Sequence, residues 1–148
     1  MSTTTARSSD YLQKMGYVCC LVEKMVTIPA RPGQPERKFL KDAFDFCDLL
    51  CTDGNHMLMV QSTTTANQSS RVNKILGIKA AALCLRAGAD IEVHGWSMKG
   101  ARGERKLWTV TVTELGLDSA GNVKVVSQRD YLPGRKHMEV PEMANLPF

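Results

Sequence analysis

Asp48 and Gln61 are the residues whose types and spacing point to chemistry. In FDFCDLLCTDGNHMLMVQSTT, a carboxylate on one strand is followed, across a turn and a second strand, by a polar run that begins at Gln61. The five apolar residues before Gln61 suit a strand buried on both faces. Such a strand breaks into Gln-Ser-Thr-Thr where it ends or where it lines a site. Two readings stay open: Asp48 and Gln61 close the strand ends with hydrogen bonds, or they line a site. Glu23 adds a carboxylate if its strand turns it inward, the alternative being an exposed strand glutamate. Asp42 shares the parity of Asp48 but lies about 20 Å away along a continuous strand, so it is expected only to shape the field. Asp45 has the opposite parity.

Basic residues form two further groups. WSMKGARGERKLW carries Lys99, Arg102, Arg105 and Lys106 against Glu104. Its glycines make it a loop, and Trp96 and Trp108 flank it. It is either a solubilising hairpin tip with both rings in the core, or a backbone-binding loop with a ring free to stack on a base. Arg71 and Lys74, three apart on a helix, lie on one face that is either solvated or able to reach a phosphate. A proline-broken loop with Arg31, Arg37, Lys38 and Lys41 leads into the Asp48 strand, and forms a groove wall if it lies on the Asp48 side.

The elements that must position these groups follow from pattern. SSDYLQKMGY reads as a short helix capped by Ser8 or Ser9 and closed by Gly16. VCCLVEKMVTI reads as one strand, and KFLKDAFDFCDLLC as another with Asp42, Phe44, Phe46 and Asp48 on one face and Cys47 on the other. TDGN turns into the buried strand HMLMVQS. A helix over 68–87 follows, capped by Asn67, weakened by Gly77 and ended by Gly88. DIEVHGW then returns parallel to HMLMVQS, and KLWTVTVTEL with VKVVSQ makes a second hairpin. This is an α/β fold: an αβββαβ core with a central mixed sheet flanked by helices, plus a C-terminal β-hairpin. Residues 1–127 form one domain and 128–148 a tail.

The order αβββαβ, with DFCDLL on the second strand and VQSTT ending the third, resembles the PD-(D/E)XK nuclease superfamily, in its Holliday-junction resolvase-like branch of phages and mobile elements. The resemblance covers about Ser8 to Trp96. It implies Mg²⁺ or Mn²⁺ held by Asp48, by Gln61 in place of the second carboxylate and by the Ser62 carbonyl. Thr63 stands at the lysine position. Gln61 offers a neutral oxygen where Mg²⁺ prefers a charged one, and Thr63 brings no positive charge. The implied reaction is in-line hydrolysis of a DNA phosphodiester to a 5′-phosphate, on duplex or branched DNA, with a homodimer for two symmetric cuts. The alternative is an inactive nuclease-fold module that binds DNA or a host protein, for example a phage host-takeover or anti-defence factor.

Composition sets the outer bounds. The 148 residues suffice for one core. Nineteen Lys and Arg against fifteen Asp and Glu give +4, a mild basic excess that suits nucleic acid without requiring it. Five cysteines without paired C-x-x-C spacing read as reduced. No 18-residue apolar run exists, so no membrane partner is expected. The expected location is cytoplasmic, that of a bacterial host if the gene is phage-borne.

Overall fold

The computed structural model describes residues 3–133. Helix α1 spans Thr3–Lys14 and buries Thr5, Ser8, Tyr11 and Leu12 along one stripe, the spacing of a helix face. It starts five residues before Ser8, because Ser8 faces inward instead of capping. Gly16 adopts φ +99° just past its end, where Tyr17 N–H reaches the Leu12 carbonyl at 3.0 Å.

The chain then leaves the expected single strand. β1 (Val18–Leu21) joins the main sheet, and β2 (Lys24–Ile28) pairs only with β3 (Arg37–Lys41) in a separate two-stranded ribbon. Three prolines and Gly33 at φ +81° make the loop between them, as expected of a segment that cannot form a regular element.

The second expected strand is broken too. After β3 the chain folds back through Phe44 (φ 54°) and Asp45 (φ 67°), and Ala43 and Cys47 exchange backbone hydrogen bonds at 3.0 and 2.9 Å. Phe46 and Cys47 are fully buried and anchor this fold-back. Only then does β4 (Leu49–Thr52) begin.

β5 (Met57–Thr64) is buried on both faces over its middle six residues. The expected single helix is two, α2 (Thr65–Leu76) and α3 (Lys79–Arg86), because the chain leaves helical geometry at Ile78 (ψ 116°), just after Gly77. α2 begins before Asn67, with Thr64 as its extended cap residue. β6 (Asp90–Lys99) pairs parallel to β5, while β7 (Leu107–Leu117) and β8 (Val123–Tyr131) continue antiparallel. β8 runs to Tyr131, four residues into the expected tail; residues 134–148 of that tail lie outside the described residues.

The sheet order is β1-β4-β5-β6-β7-β8, a mixed α/β architecture with helices on both faces. On one face α1 packs Tyr11 and Leu12 against Leu49, Leu58, Val60, Trp96 and Val110. On the other, α2 and α3 pack Val72, Ile75 and Ala81 against Met59, Ile91, Val93 and Leu115. Cys47 and Cys51 belong to opposite cores, because the fold-back ends between them. All five cysteines are free. Among the described residues no helix is long and apolar enough to cross a membrane.

Strand directions decide what gathers where. β4 is antiparallel to both β1 and β5, and β6 is parallel to β5. The carboxyl ends of β1, β5 and β6 therefore lie at one end of the sheet. The β2–β3 ribbon, the start of α2 and the 100–106 loop all leave from that end.

Candidate functional site

Three carboxylates meet at this end. Glu23, Asp42 and Asp48 each place an oxygen within 4.8 Å of the others. Backbone pairing explains all three. Lys24 pairs with Lys41, so Glu23 and Asp42 stand opposite each other at the ribbon's root. The Ala43–Cys47 exchange puts the flanking Asp42 and Asp48 side by side. Val22 N–H donates to the Asp48 carbonyl at 2.9 Å, which fixes the entering chain beside the leaving one. The 20 Å separation expected for Asp42 is thus overturned: the strand that would have kept it distant folds back on itself.

Asp48 sits just before β4 and is 4% exposed. Its Oδ2 accepts from Gln61 Nε2 at 2.9 Å and from the Ser62 amide at 2.8 Å. The hydrogen-bonded closure of the strand ends is therefore present, and the carboxylate cluster is added to it. Burial foremost, and the Asp42 carboxyl hydrogen-bonded to it, push the Asp48 pKa from 3.8 up to about 8; the Ser62 amide works against the rise. Two buried oxygens at the cluster have no partner among the described residues, Gln61 Oε1 and Glu23 Oε1. Gln61 itself is 2% exposed. Unmatched acceptors at this depth are uncommon, and crowded carboxylates with idle oxygens suit a hard cation, which takes oxygen ligands.

The remaining expected residues are distributed around this cluster. Thr63 is buried two residues beyond Gln61 and pairs with Gly95 of β6. Ser62 turns its hydroxyl to the α1 face, 2.9 Å from Ser8 Oγ, while its amide serves Asp48. Arg71 is half-buried and Lys74 exposed on α2. Neither forms an ion pair among the described residues.

In the 100–106 loop Arg102, Arg105 and Lys106 are exposed. Lys99 is engaged by Asp130 at 2.9 Å, so its charge is partly matched. Trp96 is 3% exposed, and its indole donates to Ser8 Oγ at 2.9 Å. It cannot stack on a base as one reading expected, because its position on β6 points it into the α1 core. Trp108 is 41% exposed and carries the Arg7 guanidinium 3.6 Å from its ring centroid. Those two side chains line a cavity of about 410 Å³ with Tyr11, Lys14, Leu107 and Pro133.

Sequence reasoning missed a buried polar chain on the α1 face. Ser8 Oγ lies 2.9 Å from Ser62 Oγ and 2.9 Å from His94 Nδ1, and His94 Nε2 lies 2.9 Å from Glu92 Oε1. The Trp96 indole N–H donates to Ser8 Oγ as well, so the Ser8 hydroxyl joins Ser62, His94 and Trp96 in one continuous series that ends at Glu92. Ser8 and His94 are wholly buried, so this Ser-His-Glu series ties α1 to the sheet and offers no open nucleophile. The available signal was the shared helix face of Thr5, Ser8, Tyr11 and Leu12.

Compared with protein-family models, with curated proteins and with solved structures, the chain gives no match.

Proposed function

We propose that the chain is a divalent-metal-dependent DNA phosphodiesterase of nuclease-like fold. The observation that carries this reading is the convergence of Glu23, Asp42 and Asp48 within 4.8 Å, at the sheet end from which two basic segments leave. Asp48 anchors the site, Glu23 and Asp42 supply the anionic oxygens that Gln61 lacks, and Gln61 Oε1 offers a neutral one. A bound Mg²⁺ or Mn²⁺ would supply Lewis-acid stabilisation of charge on the scissile phosphate. The chain's own part is to hold that phosphate near the carboxylates with the cations of the 100–106 loop and with Arg71 of α2; Lys74, in the last turn of α2, lies toward the far end of that helix. Thr63, at the position where the resemblance has lysine, contributes a hydroxyl and no charge.

A second reading is favoured by that same departure. A buried Gln61 and Thr63 where a Glu and a Lys are expected suit a module that binds DNA, or a host protein, without cutting. One experiment separates the two. Four-way junction, flap, duplex and single-stranded DNA are incubated with Mg²⁺, with Mn²⁺ and with chelator, beside Asp48→Ala. Metal-dependent cutting lost in Asp48→Ala is the expected result, and binding without cutting in every condition overturns the enzyme.

A further inference from the structure

We infer that the β2–β3 ribbon is a duplex-DNA-binding arm that enters a groove beside the carboxylate cluster. This rests on the nucleic-acid reading above but does not require cutting. The ribbon pairs with no strand of the main sheet, and every residue of β3 is exposed. Residues 24–41 carry Lys24, Arg31, Arg37, Lys38 and Lys41 against Glu36 alone, net +4, a charge equal to that of the whole chain. None of these cations has an ion pair among the described residues.

Cross-strand register distributes the charge over both faces. Lys24 faces Lys41 and Ile28 faces Arg37 on one side, while Thr27 faces Lys38 on the other. Arg31 sits in the tip loop, closed by reciprocal Arg31–Gln34 backbone bonds of 2.9 and 2.8 Å. Like charges directly opposite each other destabilise a strand pair, so the Lys24–Lys41 pair is the arrangement of a ribbon that meets a polyanion. Dimensions agree. Five-residue strands at about 3.4 Å per residue stand roughly 17 Å tall. That exceeds the major groove's depth of ~8.5 Å, and a two-stranded ribbon fits its width of ~12 Å. Glu23 and Asp42 end the two strands at their root, so a seated ribbon would bring the adjacent backbone to the carboxylates.

Met25, Leu40 and Phe39 are also exposed, at 55%, 52% and 45%. They could suit a protein partner, but the charge decides for DNA. Binding of the full chain to a labelled 30-base-pair duplex is measured in chelator, where no metal-dependent cutting occurs, over a salt series. The triple variant Arg31→Gln, Arg37→Gln, Lys38→Gln is expected to bind about tenfold or more weakly, and to lose about 3 from the slope of log K against log salt. Glu36→Lys should tighten binding. All four residues are exposed, so circular dichroism and melting temperature should match the parent.

Wild-type-like duplex binding by the triple variant overturns the inference even if the protein cuts DNA. Absence of duplex binding, equal loss on single strands, or a salt-insensitive protein partner that requires Met25 and Leu40 also overturns it. Lost binding by the triple variant sustains it even if no cutting is ever seen, so its failure and that of the nuclease reading are told apart.

Discussion

The Gln68 side chain occupies the space above Gly95 in which any other residue would place its β-carbon: Gln68 Cδ would lie 2.6 Å from that atom. Gln68 is buried, and its Nε2 reaches the carbonyls of Val93 and Thr111 and the hydroxyl of Thr113 at 3.1, 2.7 and 3.0 Å. Helix α2 is thereby fastened across β6 and β7, which fixes where it starts relative to Gln61. Gly95→Ala should displace the amide and cost about 2–4 kcal/mol, from overpacking and broken buried hydrogen bonds. Urea unfolding of Gly95→Ala, Gln68→Ala and the double variant measures it. The double variant should be more stable than the sum of the singles, since truncating Gln68 removes the amide from that space and leaves only its Cβ, 3.2 Å away; strict additivity would contradict the contact.

Ser8 is the hub between α1 and the sheet. Ser8→Ala strands His94 Nδ1, the Trp96 indole and Ser62 Oγ in a dry core, where an unmade hydrogen bond costs about 1–3 kcal/mol. We expect a loss of about 3 kcal/mol in denaturant unfolding, with a change in tryptophan emission, since Trp96 is the buried indole. Unchanged emission and stability would show that α1 is held by Tyr11 and Leu12 alone.

Asp48 gives stability a definite pH dependence in the absence of metal. Its pKa rises on folding from 3.8 to about 8, chiefly through burial. Between those values the folded chain keeps a proton that the unfolded chain has released. Its contribution is thus fully present below pH 4 and is lost as pH rises through 8. The loss is on the order of a few kcal/mol. Melting in chelator from pH 4 to pH 9 should show it, and Asp48→Asn should flatten the profile. A profile that falls through this range as steeply in Asp48→Asn as in the wild type would remove Asp48 as its source.

The α/β class was legible because periodicity records burial: β5 is apolar on both faces and sits mid-sheet, and Gly16 and Gly88 end helices with positive φ. Asp48 beside Gln61 was legible as well, since a polar residue ending a buried strand needs a partner. Asp42 was not, because the fold-back needs two successive left-handed residues, Phe44 and Asp45, and although Asp tolerates that backbone, Phe gives no sign of it. The break at Val22–Glu23 was hidden for a related reason. Val18–Leu21 and Lys24–Ile28 are both strand-like, and only the Val22–Asp48 backbone bond shows that the chain changes sheets between them. The buried His94 was hidden by its partner's distance, 86 residues away at Ser8.

Gln61→Glu tests whether the carboxylates act as a cation site. The replacement puts a fourth acidic group against Asp48 and exchanges a donated hydrogen bond for like-charge repulsion in a buried place. Without metal, stability at pH 8 should fall by about 1–3 kcal/mol. With Mn²⁺ or Mg²⁺ the order should invert, because each hard cation gains an anionic oxygen where it had a neutral one. Affinity should rise at least about tenfold, or roughly 1.4 kcal/mol. The midpoint shift with added metal should then be larger than in the wild type, as ligand binding to the folded state requires. Calorimetric titration and thermal melting over a metal series, with Ca²⁺ for comparison, measure both effects. A variant that loses stability without metal and regains none with it would mean that Glu23, Asp42 and Asp48 share protons rather than a cation.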